Sequence, residues 1–99
     1  MKIYLDDERE APQGWHLIRT ATETIELLRK EKVIEISLDH DLGDDISGTG
    51  YDVILWIENA VIEGGFTPPK IHIHSANVSA RVKMELGVEK IIQLTKSRN

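Results

Sequence analysis

The sequence predicts an α/β fold: one domain over residues 1–99, built on a mostly parallel sheet of about four strands. Three observations carry this. Short β-rich apolar runs alternate with longer segments of helical periodicity. Three of the runs stop abruptly at clusters of acids or histidines. The chain of 99 residues is 40% hydrophobic, enough for one modest core.

Lys2-Ile3-Tyr4-Leu5 is apolar and rich in β-formers, and it ends at Asp6-Asp7, so a first strand is expected over 2–5. The next segment, DEREAPQG, holds the turn residues Pro12 and Gly14. A second strand follows at 15–19. Thr20 and Glu23 then stand at capping-box spacing, and Ala21, Ile25 and Leu28 share one helical face. Arg29, Lys30 and Lys32 suit the C-terminal end of that helix, expected over 21–31.

The run VIEISL predicts a third strand over 33–38. An Asp- and Gly-rich loop leads to Thr49 and Asp52, a second capping-box pair. Val53, Ile54, Ile57, Ala60 and Val61 line a helix over 50–63, closed by Gly64-Gly65. Pro68-Pro69 precedes a fourth strand at 70–74. Asn77 or Ser79 caps a last helix over 78–96. Gly87 costs that helix about 1 kcal/mol relative to alanine and marks its weakest point. Right-handed crossovers between such units give parallel strands, here in the order 2-1-3-4.

Composition narrows the chemistry. With no cysteine, disulfides, thiolate metal sites and cysteine nucleophiles are excluded. The start carries no signal-peptide pattern, and no apolar run reaches the roughly 18 residues of a membrane span. A cytoplasmic protein without a membrane partner is expected. The net charge is −5, and eight of the 17 acids lie in two short stretches, Asp6–Glu10 and Asp39–Asp45. No extended nucleic-acid surface is expected, because that needs clustered Lys and Arg. A cation bridging to an anionic substrate fits better.

In an open parallel sheet the strand C-termini share one edge, where ligands bind. Asp6, Asp7, Asp39 and Asp41 should therefore meet, and such crowding raises at least one carboxyl pKa unless a cation is present. Their hard oxygens suit Mg²⁺ or Mn²⁺, with Zn²⁺ as an alternative if imidazole takes part. The loop DHDLGDDISGTG is not an EF-hand, since Asp44 stands where the essential glycine belongs and Gly50 where the bidentate Glu belongs. Asp44 and Asp45 read as solvated turn residues. His40 and His74, at two strand ends, are the candidate proton carriers. His72 reads as a hydrogen-bonded strand residue, and His16 has no assigned role. Arg9, Ser75, Asn77 and Arg81 are candidates for holding phosphate, the last three near a helix start. Trp15, Trp56 and Phe66 read as packing.

The ordered set LDDER, SLDHDLG, TGYD and HIHSAN resembles the cyclic-phosphate processing receiver domain family over residues 3 to about 84. The resemblance implies a three-layer, receiver-like (flavodoxin-like) fold, truncated because the segment after the first strand is too short for the usual helix and no fifth strand is evident. It also implies work on cyclic phosphates, with a phosphorylated small molecule or an RNA end as partner. By similarity to response-regulator receivers, Asp6 and Asp7 are the acidic pair, Asp39 the phosphoacceptor position and Ser75 the hydroxyl after the fourth strand. No lysine follows a fifth strand as in those receivers. The leading expectation is a metal-dependent phosphoesterase. The alternatives are a non-catalytic receiver-like binding or regulatory module, and a phosphoacceptor receiver using Asp39.

Overall fold

A computed structural model describes residues 1–43 and 46–97. Its elements are β1 (Lys2–Leu5), β2 (His16–Ile18), α1 (Ala21–Lys30), β3 (Glu35–Leu38), α2 (Gly50–Glu63), β4 (Lys70–Ile73) and α3 (Val78–Lys96). All four strands are parallel, in the order β2-β1-β3-β4. The expected sheet and helices are present. Only their ends differ, chiefly at β3, which begins at Glu35 rather than Val33. Asp44 and Asp45 lie outside the described residues.

Local signals set the helix starts. Thr20 Oγ1 accepts from the Glu23 amide at 3.1 Å. At α2 the full capping box forms: Thr49 takes the Asp52 amide while the Asp52 carboxylate takes the Thr49 amide at 2.8 Å. Asn77, rather than Ser79, caps α3 by accepting from the Ala80 amide at 3.0 Å.

The helix α3 runs unbroken through Gly87. A Cβ there would stand 2.7 Å from Ile54 Cγ2, so the glycine lets α3 lie close against α2. Close packing outweighs the propensity loss.

The layering departs from the three layers expected. Both crossovers, β2-α1-β3 and β3-α2-β4, step in the same direction across the sheet, so right-handedness puts α1 and α2 on one face. α2 packs between α1 and α3, and α3 also touches β4, which completes one helix layer. Ile3, Leu5, Ile36 and Leu38 point into that layer and are fully buried with Val53, Ile57 and Met84.

No helix covers the other face among the described residues, because the β1–β2 link is a loop with no helical turn. That face carries Lys2, Tyr4, Glu35, Ser37 and His72 in register, with His74 beyond them. Trp15 takes part of the missing cover. Its ring meets Tyr4 and His72 edge-on, each at 6.3 Å between centroids, with Lys2 Nζ 5.5 Å from the ring centre. Trp56 packs edge-on against Phe66 at 5.3 Å, as expected for packing residues. No helix among the described residues is long and apolar enough to cross a membrane.

Candidate functional site

Three strands hand their next residue to one edge. The Asp6 amide donates to Ile18 O at 3.1 Å, the Asp39 amide to Leu5 O at 3.0 Å and the His74 amide to Leu38 O at 3.0 Å. The ladder thus runs one residue past each strand and fixes where these three side chains start. The β1, β3 and β4 ends converge as the strand pattern requires.

Asp6, Asp7 and Asp39 each offer a carboxylate oxygen, and the three oxygens lie within 4.8 Å of one another. They line a cleft of about 360 Å³ together with Arg9 and Asp41. Asp41 lies at its rim and is not one of the close trio; its Oδ2 accepts from Asn77 Nδ2 at 3.3 Å.

Asp6 is 1% exposed and accepts four hydrogen bonds. The Glu8 and Arg9 amides reach Oδ1, both at 2.8 Å. Arg9 Nη1 at 2.9 Å and His74 Nε2 at 3.0 Å reach Oδ2. Burial pushes this carboxyl up, but the donors together outweigh burial and hold its pKa down at about 2.

Asp39 shifts the other way. Burial comes first in raising its pKa, with the Asp6 charge adding to it; the His40 amide at 2.8 Å and the Arg9 charge oppose this without cancelling it. One raised carboxyl in the cluster is what the crowding predicts, although desolvation leads the cause.

His74 is clamped. Asp6 can only accept, so Nε2 carries the proton, and in the neutral ring Nδ1 accepts from Ser37 Oγ at 2.7 Å. Tyr4 stacks on the imidazole with centroids 4.3 Å apart and planes 4° from parallel. His72 is hydrogen-bonded as expected, its Nε2 2.6 Å from Glu35 Oε2. That bond leads in holding the Glu35 pKa below its usual value.

The remaining predicted residues divide. Arg9 sits in the cleft. Ser75 is 3% exposed at the end of β4, and its Oγ accepts from the Asn77 amide at 3.1 Å. Asn77 spends its Oδ1 on the α3 cap and turns its Nδ2 to Asp41. The structure does not bring Arg81 to the cleft; its Nε faces Glu85 at 3.7 Å. His40 is beside Asp39 in the chain, but its side chain is not among the described cleft-lining groups, and its buried Nδ1 has no partner. Its carbonyl instead accepts from the Gly50 amide at 3.1 Å, tying the start of α2 to the end of β3. A Cβ at Gly50 would stand 1.9 Å from Asp39 O, so only glycine allows this approach.

Sequence reasoning missed Ser37 and Arg19. Arg19 Nη1 donates to Asp6 O at 3.3 Å and Arg9 O at 3.2 Å and braces the loop after β1. Ser37 had a signal: it is the polar residue at period two from Glu35 in an otherwise apolar run.

Three carboxylates, with no imidazole beside them among the described cleft-lining residues, have the hard-oxygen donor chemistry that suits an ion such as Mg²⁺ or Mn²⁺.

Fold and site together define a receiver-like α/β protein with an acidic cleft at the sheet's C-terminal edge. The cyclic-phosphate processing receiver domain matches residues 1–90, which include every candidate site residue. The chain belongs to that family. Comparison with curated proteins and with solved structures gives no match.

Proposed function

We propose that the chain is a metal-dependent phosphoesterase acting on cyclic phosphates, with 2′,3′-cyclic nucleotides or RNA ends as the substrate class. The observation that carries this is the convergence of Asp6, Asp7 and Asp39 to within 4.8 Å in a cleft that also holds an arginine. A bound Mg²⁺ or Mn²⁺ supplies Lewis-acid polarisation of a phosphoryl oxygen. Asp6, Asp7 and Asp39 hold the ion, and Asp41 adds negative charge at the rim. Arg9 gives a bidentate fork for phosphate oxygens. Ser75 and Asn77 shape the adjoining start of α3. His74 orients Asp6 rather than moving a proton, since both its ring nitrogens are engaged.

Purified protein should hydrolyse 2′,3′-cyclic nucleotides with Mg²⁺ or Mn²⁺, and Asp39→Asn should abolish the turnover. A broad phosphoester panel without metal-dependent turnover sinks the reading. A second reading, capture of a cyclic phosphate without hydrolysis, is favoured by the lack of a free imidazole among the described cleft-lining residues. Saturable binding with the ligand recovered intact would select it.

A further inference from the structure

Asp6 and Asp39 each give one carboxylate oxygen to the main chain. Asp6 Oδ1 holds the Glu8 and Arg9 amides, and Asp39 Oδ1 holds the His40 amide. The oxygens of these two residues that take no main-chain amide are the two Oδ2 atoms. Arg9 Nη1 already faces both, at 2.9 Å from Asp6 and 3.8 Å from Asp39.

A carboxylate has about four acceptor directions, and Asp6 uses all of them. Two of its donors are loop amides that Arg19 braces from behind. A third is His74, pinned by Ser37 and Tyr4. Only the fourth, the Arg9 side chain, is free to leave, being 49% exposed.

We infer that Arg9 is a tethered counter-cation: it fills the place between Asp6 and Asp39, an incoming divalent ion must displace it, and the displaced guanidinium becomes the arm that takes phosphate. This rests on the metal reading above and adds a competition to it. Arg9 then sets the threshold for cation loading and links that loading to phosphate capture, because one side chain serves either the carboxylates or the phosphate.

The test is calorimetric titration of Mn²⁺ into wild type, Arg9→Gln, Arg19→Gln and Asp39→Asn, with amide NMR spectra confirming that each is folded. Arg9→Gln should bind Mn²⁺ about three- to tenfold more tightly, which a merely structural arginine would not produce. Arg19→Gln removes an equal charge nearby and should not tighten binding. Asp39→Asn should lose binding. If wild type binds but Arg9→Gln binds equally or more weakly, or if Arg19→Gln tightens as much, the inference falls and the metal site stands. If neither wild type nor Arg9→Gln binds, both fall.

A variant-free measurement backs this. The Arg9 Nε–H resonance of wild type should shift in step with Mg²⁺ saturation, and an unmoved signal overturns the displacement. Inorganic phosphate should bind Mg²⁺-loaded wild type several-fold more tightly than Mg²⁺-loaded Arg9→Gln. Equal affinity removes the phosphate half of the inference.

Discussion

The two faces of the sheet are held by different physics. Toward the helices, Ile3, Leu5, Ile36 and Leu38 are fully buried, and dispersion and water exclusion hold them without direction. Toward the open side, Tyr4, Glu35, Ser37, His72 and His74 are joined pair by pair, through hydrogen bonds, ring stacking and a histidine–carboxylate contact. Both sets come from the same strands, alternating residue by residue. The covered face supplies stability that tolerates imprecise geometry. The open face supplies geometry, and its network ends on Asp6 at the cleft.

Substitutions sharpen this contrast. The largest loss is expected from Leu38→Ala on the covered face, about 3 kcal/mol, read as a lower urea midpoint at unchanged slope. Asp6→Asn comes next. A folded pKa of about 2 against the ordinary 3.8 is worth about 2 kcal/mol near neutral pH. The sign follows from the depressed value: this stability is present above the unfolded pKa and is lost as pH falls through the folded one. Unfolding free energy of the metal-free wild type should fall between about pH 4 and pH 2, and the Asp6→Asn profile should be flatter there.

Ser37→Ala removes one hydrogen bond under His74 and should cost about 1 kcal/mol by thermal unfolding. A loss equal to that of Leu38→Ala would erase the distinction between the faces. Asp39→Asn should act in the opposite direction. Its carboxyl is raised, so the native state loses stability as pH rises from the unfolded value through the folded one. Without metal, the variant should melt above wild type at pH 7 and converge with it in acid.

Much of this architecture was legible in the chain. Thr49 and Asp52 announced α2 because a capping box is local, needing only four consecutive residues. The acids after Leu5 and Leu38 announced the site because parallel strands share a C-terminal edge. Contacts set by packing were not legible. Gly87 read as a weakness until the nearness of Ile54 showed its use. Ser37 and His74 lie 37 residues apart, and their bond depends on a strand register that no spacing rule fixes. The missing third layer was half visible, in a β1–β2 segment too short for a helix.

The division of faces also separates the molecule optically. The chain has two tryptophans, and each reports a different environment. Trp15 lies on the open side among Tyr4, His72 and Lys2. Trp56 lies in the helix layer against Phe66 and beneath Arg29. Replacing either one with phenylalanine leaves a single tryptophan, so tryptophan emission, excited at the red edge beyond tyrosine absorption, can follow the two sides of this small sheet independently.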